Sequence, residues 1–302
     1  MIRPEGSWVA IVTPFTEDDE VDFVGFERVI DFQVRNGTSG ILLMGSTGEP
    51  TLLSMTERKL IIEQVVPYCK GRIPVFVGTT CGSTRETIEL TQHAAKHGAV
   101  GALLVVPPYS GPPQDALYAH FKAVAESVDI AIALYNNPSR VSVNIDPPTV
   151  ARLAEIPNVV ADKEAVPSVS QVAEVIRATG GKLNMLCCDA PAYGLILPTL
   201  ALGGHGTANI AGNVVPREMA ELSRPWKSME DVVRARELYF RLTPLLRAFY
   251  SVVNPVPVKA AMRLLGLPSG HVRAPLLDLK GEKLAELERV LASPEVRERY
   301  GL

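Results

Sequence analysis

The segment Asn158-Val159-Val160-Ala161-Asp162-Lys163-Glu164-Ala165 has the pattern of a buried parallel strand, a short and mostly apolar run that ends in polar residues. Runs of this kind recur along the chain and alternate with amphipathic stretches. The predicted strands are residues 8–14, 40–44, 74–77, 100–106, 130–135, 159–163, 183–187 and 206–210. Because strands that alternate with helices form parallel sheets, and eight of them close into a ring, the sequence predicts a (β/α)8 TIM barrel. A doubly wound open sheet is the alternative, but no glycine fingerprint follows the first strand.

Helical patterns lie between and after these strands. Those within the barrel are predicted at 23–36, 55–69, 84–97, 114–127, 147–155, 168–178 and 190–202. After residue 224 the pattern changes, because three helical stretches at 228–251, 255–266 and 280–293 follow one another without a strand. We therefore expect a barrel over residues 1–224 and a C-terminal three-helix extension over 225–302.

The composition argues against several classes of function. The chain has 302 residues, 47% of them hydrophobic, and a formal net charge of −3, which gives no reason to expect a nucleic-acid or anionic-membrane partner. The four cysteines lack the spacing of metal ligands, and no secretory or membrane-spanning segment is evident, so we expect a cytoplasmic protein with reduced thiols and no bound metal. His93 and His97 have i,i+4 spacing but no glutamate between them, and we expect them to be solvated.

Lys163 is the first candidate for chemistry. A lysine at the end of a buried strand is costly unless it is paired, exposed at a cavity mouth, or used. We expect burial to lower its pKa, which would leave free amine able to attack a carbonyl and form a Schiff base. A salt-bridged or surface-reaching lysine is the alternative. Because side chains alternate along a strand, a Lys163 that points into the barrel places Asp162 in the helix layer, where we can name no partner for its carboxylate.

Barrel enzymes place their reacting groups at the carboxyl ends of strands. In this sequence those ends carry an amine, two phenols, two adjacent hydroxyls in a glycine-flanked turn and an arginine, a set that suits a small keto acid. Each residue alone has an ordinary structural explanation, and only their occurrence together at strand ends favours catalysis. The residues are Lys163, Tyr109, Tyr135, Ser46, Thr47 and Arg140.

Several motifs resemble a known family in their order and in their residues. They are Val9–Pro14, Gly45–Glu49, Gly71–Val75, Tyr135–Arg140, Lys163–Ala165, Gly203–Gly206 and Asn254–Lys259. Over nearly its whole length the chain resembles the pyruvate-dependent class I aldolases, the dihydrodipicolinate synthase/N-acetylneuraminate lyase family, and among them it is most similar to the synthases. The resemblance implies a TIM barrel, covalently bound pyruvate without another cofactor or a metal, and a homo-oligomer of at least two and as many as four subunits.

The resemblance also implies roles for single residues. Lys163 matches the Schiff-base lysine, and Tyr135 matches the phenol that passes protons during imine formation. Ser46 stands at the position of a relay threonine, and Thr47 matches the threonine that binds the pyruvate carboxylate. Tyr109 matches a relay tyrosine that a neighbouring subunit inserts.

For the second substrate, Arg140 matches the arginine that receives the carboxylate of aspartate semialdehyde, and Ala208 falls where a backbone carbonyl lies near bound pyruvate. The sequence departs from the family pattern at Cys187-Cys188, which replace a serine-glycine pair, and at Asn137, where a small apolar residue is common.

The expected reaction is the condensation of pyruvate with L-aspartate 4-semialdehyde. An aldolase or dehydratase acting on a 2-keto-3-deoxy sugar acid is the alternative, because the departures surround the second-substrate pocket. Arg140 favours the condensation, since sugar-acid enzymes of the superfamily generally lack it. A non-catalytic pyruvate-binding barrel is a remote alternative, because it would be expected to lose Lys163 or Tyr135.

Overall fold

Eight parallel strands form a closed barrel in the computed structural model, which describes residues 1–189 and 193–292. Each strand pairs with the next, and the last pairs with the first, which confirms the predicted (β/α)8 TIM barrel. The strands are β1 (Gly6–Ala10), β2 (Gly40–Leu43), β3 (Val75–Gly78), β4 (Gly101–Val105), β5 (Ala131–Asn136), β6 (Val159–Glu164), β7 (Asn184–Cys188) and β8 (Gly206–Asn209).

The helices lie between and after the strands, and the C-terminal helices follow the barrel. They are α1 (Phe23–Arg35), α2 (Met55–Cys69), α3 (Thr84–Lys96), α4 (Gln114–Glu126), α5 (Pro138–Val141), α6 (Pro147–Leu153), α7 (Val169–Thr179), α8 (Ile196–Ala201), α9 (Pro216–Leu222), α10 (Met229–Phe249), α11 (Val256–Leu264) and α12 (Gly281–Leu291). The first three residues of the predicted helix 190–202 and the last of 280–293 lie outside the described residues. A domain boundary at residue 224 stays a prediction. No helix in the described part of the chain is long and apolar enough to cross a membrane.

The first strand differs from its prediction, because it ends at Ala10 rather than at residue 14. Residues 11–14 are as buried as a strand would be, so their composition alone indicated one. The backbone N–H of Val12 donates instead to the side-chain amide oxygen of Asn213, at 3.2 Å. Because a side chain takes the place of a neighbouring strand, the ladder ends and the chain turns away. Helices α5 and α9 were not predicted, since each is too short to show a helical period.

Large aromatic side chains close the amino-terminal end of the barrel interior. The strand register places Trp8 and Phe76 on the same inner face as Lys163, and their ring centroids are 4.9 Å apart. Gly40 and Gly101 make room for them, because an added Cβ would lie 2.5 Å and 2.2 Å from the two rings. The open space is therefore at the carboxyl ends of the strands, where barrel active sites lie.

Candidate active site

Lys163 and Tyr135 are direct neighbours across two strands. They are register partners on β6 and β5, and both side chains are buried, with 3% and 4% of their surfaces exposed. The Lys163 ammonium nitrogen lies 4.1 Å from the centroid of the Tyr135 ring. The inward direction predicted for Lys163 therefore brings an amine and a phenol together inside the barrel mouth.

The charge state of Lys163 differs from the sequence-based expectation. Burial does lower the pKa of this lysine, but attraction to Tyr135, Cys188 and Asp189 outweighs burial, and the pKa is raised overall. The expectation of a lowered pKa was wrong because it considered burial alone. The Asp189 carboxylate is one of these attractive groups, and the face of the Tyr135 ring, 4.1 Å from the ammonium nitrogen, also attracts a cation. The free amine thus requires transfer of a proton to a nearby acceptor.

Asn137 holds the hydroxyl of Tyr135 in a fixed place. Its side-chain nitrogen donates to the Tyr135 hydroxyl oxygen at 2.8 Å, and its amide oxygen accepts a hydrogen bond from the Ser139 hydroxyl at 2.6 Å. Asn137 is buried and Ser139 is exposed, so the Asn137–Tyr135 part of this chain is shielded from water. Because the phenol oxygen accepts from Asn137, its own proton remains available to a group in the cavity.

Asn254 joins the turn after β2 to Arg140. Its side-chain nitrogen donates to the Thr47 hydroxyl at 3.1 Å, and its backbone carbonyl accepts from the Arg140 guanidinium at 3.0 Å. Thr47 is fully buried, whereas Arg140, on the short helix α5, is exposed at the mouth. One residue of the C-terminal segment therefore sets the positions of two candidate substrate-binding groups.

A buried ion pair anchors the same turn. Glu49 closes the Ser46–Gly48 turn in a left-handed conformation, with φ 53°, and its carboxylate lies 2.6 Å from the ammonium group of Lys259 on α11. Both side chains are completely buried, and burial lowers the pKa of Lys259 to about 8. The Lys259 ammonium also donates to the carbonyl oxygen of His271 at 2.7 Å. The C-terminal helices thus hold the turn in place from behind.

Two cavities meet at the carboxyl ends of the strands. One, of about 290 Å³, contains Lys163 and Thr47 and is called the inner cavity below; the other, of about 330 Å³, is lined by Pro108 and is called the outer cavity. Both are lined by Ser46, Tyr135 and Arg140, which therefore stand between the two. This division provides room for a keto acid beside Lys163 and for a second substrate next to it.

Asp189, which is fully buried, and Tyr250, which is partly buried, form an acid–phenol pair beside Lys163. The Tyr250 hydroxyl donates to the Asp189 carboxylate at 2.8 Å, and the backbone N–H groups of Ile210 and Ala211 donate to the same carboxylate at 2.9 to 3.1 Å. Burial raises the pKa of Asp189, and these hydrogen bonds oppose the shift. Burial and the neighbouring carboxylate raise the pKa of Tyr250 well above its usual range, so the phenol stays a donor. Tyr250 and Cys188 line the inner cavity with Lys163.

Two predicted site residues do not line either cavity. Tyr109 projects into solvent from a left-handed backbone conformation, with φ 75°. Such a conformation is strained for a tyrosine and is characteristic of functional positions. Ala208 is fully buried in β8, and Ile210, which directly follows the strand, lines the inner cavity instead. The roles of Tyr109 and Ala208 stay predictions.

Comparison with known proteins shows the family. The sequence matches the Dihydrodipicolinate synthetase family over residues 3–293. The chain belongs to this family. It is 43% identical to the 4-hydroxy-tetrahydrodipicolinate synthase of Thermodesulfovibrio yellowstonii over 94% of this chain and 97% of the relative. It is 42% identical to the enzyme of the same name from Methanocaldococcus jannaschii, over 95% and 97% of the two chains. The crystal structure of dihydrodipicolinate synthase from Aquifex aeolicus matches with a TM-score of 0.92 and 41% identity, over 97% and 99% of the two chains.

Asp162, which precedes Lys163 on β6, has an unusual environment. Its side chain is fully buried, and neither carboxyl oxygen has a hydrogen-bond partner among the described residues. Burial raises its pKa well above the usual range, and the nearby carboxyl group of Glu164 adds to the shift. The raised pKa favours the neutral form of Asp162, which needs no cationic partner.

Sequence reasoning did not assign roles to three residues of this dihydrodipicolinate synthetase family member. Tyr250 and Asn254 line the inner cavity, and Asp189 accepts a hydrogen bond from Tyr250 behind it. Asn254 lies in a motif that was noticed, and Asp189 follows a predicted strand, so both carried a signal. Tyr250 carried none, because it ends a long C-terminal helix and nothing in the sequence indicates that this helix end meets β7.

Proposed function

We propose that this protein is a 4-hydroxy-tetrahydrodipicolinate synthase, which joins pyruvate to L-aspartate 4-semialdehyde in lysine and diaminopimelate biosynthesis. The observation that carries the proposal is the buried Lys163 amine, 4.1 Å from the Tyr135 ring centroid, in the inner cavity. The family match and the names of relatives with 42–43% identity support it.

In the first half of the reaction, the Lys163 amine attacks the keto carbon of pyruvate and the carbonyl oxygen leaves as water. Protons must move from the amine to the departing oxygen. Tyr135 is the group placed to carry them, because Asn137 fixes its hydroxyl oxygen from one side. Ser46 lines both cavities with Tyr135, and Tyr109 of a neighbouring subunit would extend the relay to solvent.

The pyruvate carboxylate binds in the Ser46–Gly48 turn, where Thr47 and the backbone N–H groups supply donors. Asn254 orients the Thr47 hydroxyl. Ala208 contributes its backbone carbonyl at the other side of the bound pyruvate, in the role carried over from the family. The inner cavity, at about 290 Å³, accommodates a molecule of this size.

Asp189 stabilises the positive charge of the iminium ion formed at Lys163. Its attraction to Lys163 is part of what raises the pKa of that lysine, and the same attraction acts on a protonated imine. Tyr250 is a positioning residue for Asp189, because its hydrogen bond favours the ionised carboxylate in a buried place. The Tyr135 relay, which has given a proton to the departing water, then takes a proton from the pyruvyl methyl group to form an enamine, whose carbon attacks the aldehyde.

Arg140 receives the carboxylate of the aldehyde substrate at the outer cavity. It is exposed at the mouth, and Asn254 holds one of its nitrogens while the guanidinium keeps further donors for a ligand. No step requires electron transfer or a Lewis acid, so covalently bound pyruvate needs no other cofactor. We further propose that the protein is cytoplasmic. We also propose that it is a homo-oligomer, a dimer or a tetramer, because Tyr109 reaches away from the cavities of its own subunit.

The direct test is a comparison of two reactions with the same enzyme preparation. Pyruvate with L-aspartate 4-semialdehyde should be consumed in equal amounts and converted to a cyclic product. Cleavage of 2-keto-3-deoxygluconate to pyruvate should be slower by orders of magnitude. Efficient cleavage of the sugar acid, without condensation, would assign the protein to the aldolase branch of its family. Neither reaction, with pyruvate binding retained, would favour a non-catalytic barrel.

A further inference from the structure

Three side chains that can bind a metal ion converge on the outer helix layer, away from both cavities. Glu63 comes from α2, His93 from the last turn of α3, and His97 directly follows α3. Their ligand atoms all lie within 4.8 Å of one another, and His93 Nε2 is 3.0 Å from a Glu63 carboxylate oxygen. Among the described residues, this is the one group of three or more His, Cys, Asp or Glu side chains whose ligand atoms converge in this way.

The histidine rings are oriented as metal ligands usually are. His97 Nδ1 lies 2.9 Å from the backbone carbonyl oxygen of His93, so this nitrogen is the one that carries a proton and donates. The Nε2 lone pair of His97 is then available to a metal ion. A histidine ligand commonly donates its other nitrogen to a carbonyl in this manner, which fixes both its tautomer and its direction.

His93 faces the carboxylate of Glu63. Its Nε2 atom is buried and lies 3.0 Å from a carboxylate oxygen, in a contact that does not have the geometry of a hydrogen bond. An imidazole nitrogen and a carboxylate oxygen that face each other across this distance are ligand atoms that one metal ion can bind together.

We propose that Glu63, His93 and His97 form a zinc-binding site that links α2 to α3. Two imidazole nitrogens and one carboxylate oxygen are a common ligand set for Zn²⁺, with water in the fourth position. Bond lengths of about 2.0–2.2 Å place tetrahedral ligand atoms roughly 3.3 Å apart, so side-chain rotation within the present 4.8 Å cluster suffices. The site serves the stability of the helix layer, because none of its residues lines the catalytic cavities.

The sequence-based expectation that these histidines are merely solvated considered only α3. The i,i+4 spacing puts both rings on one face of that helix, but two nitrogens alone make a weak site. The third ligand comes from α2, 30 residues before His93, and the packing of α2 against α3 brings it there. A metal ion held by both helices binds the folded chain only, and so stabilises it.

The test is a titration of metal-free, full-length protein with Zn²⁺ in competition with a chromophoric chelator. One Zn²⁺ per chain should bind, and His93→Gln and His97→Gln should each weaken binding by about ten-fold or more. His271→Gln is the matched control, since His271 also faces a carboxylate, that of Asp19 at 2.7 Å, but belongs to no such cluster.

Thermal unfolding gives a second readout. Zn²⁺ should raise the unfolding temperature of the unmodified protein and of His271→Gln, but not that of His97→Gln, whose side chain is only partly buried and whose replacement leaves the fold intact. Co²⁺ in place of Zn²⁺ should give the visible absorption bands of a four-coordinate site. Absence of saturable Zn²⁺ binding, or equal binding by His97→Gln and the unmodified protein, would overturn the proposal.

Discussion

Removing one member of the buried Lys259–Glu49 pair should destabilise the protein strongly, whereas removing both should not. The two charged groups are 2.6 Å apart and have no exposed side-chain surface. Lys259→Met leaves the buried Glu49 carboxylate with the backbone N–H of Arg273 but without its counter-ion, and Glu49→Gln does the same to the Lys259 ammonium group, so each should lower the free energy of unfolding by about 3–5 kcal/mol. In the double variant neither charge remains, and the two losses should be far from additive, with a coupling of up to about 3 kcal/mol.

Urea unfolding of the single and double variants at one fixed protein concentration measures these differences, because subunit association changes apparent stability. The matched control is the exposed pair Arg177–Glu174, for which the same cycle should show no measurable coupling. Additive effects at Lys259 and Glu49 would refute the reasoning, because they would mean that neither charge depends on the other.

The pH dependence provides an independent check on Lys259. Its pKa is about 8 in the folded protein and 10.5 without perturbation, so between these values the unfolded chain binds a proton that the native protein lacks. The unfolding free energy should therefore rise with pH across this window, by roughly 3 kcal/mol at about 1.4 kcal/mol per pH unit. Lys259→Met should lose this rise. An identical pH slope in the variant would contradict a buried, desolvated ammonium group.

Three further predictions concern other residues. Arg140→Ala should raise the KM for the aldehyde roughly ten- to a hundred-fold by removing a contact of about 1.5–3 kcal/mol, whereas trapping of the pyruvate imine should change little; equal damage to both steps would make Arg140 structural. Asp162→Asn should reduce the loss of stability that the unmodified protein shows as the pH rises above about 3.9, the ordinary pKa of a carboxyl group. The reason is that folding opposes ionisation of a buried acid whose pKa is raised. The same dependence of urea unfolding on pH in the variant and in the unmodified protein, from about pH 4 to 8, would contradict this. Mixing inactive Tyr109→Phe and Lys163→Ala subunits should restore part of the activity if Tyr109 acts in a neighbouring subunit, and no recovery after confirmed subunit exchange would place Tyr109 elsewhere.

The barrel could be predicted from the sequence because each strand and helix carries its own local pattern. Lys163 and Tyr135 could be placed for the same reason, since both lie at the ends of recognisable strands and strand ends of a barrel share one face. The predicted end of the first strand was wrong because Asn213, 201 residues away in the chain, accepts the backbone N–H of Val12.

The connections within the site could not be predicted, because they join segments that are distant in the chain. Tyr250 is 61 residues from Asp189, and Asn254 is 207 residues from Thr47. The same limit applies to charge. The raised pKa of Lys163 depends on which groups surround it in three dimensions, whereas sequence reasoning could include only its burial.

The central claim, that Lys163 forms an imine with pyruvate, is tested most directly by borohydride reduction followed by peptide mass spectrometry. With pyruvate present, reduction should add one pyruvyl-derived mass per chain, located on the peptide that contains Lys163, and Lys163→Ala should remove it. Arginine at this position should not restore labelling, because its guanidinium stays protonated. Labelling of another lysine, or no labelling of the unmodified protein, would contradict the account.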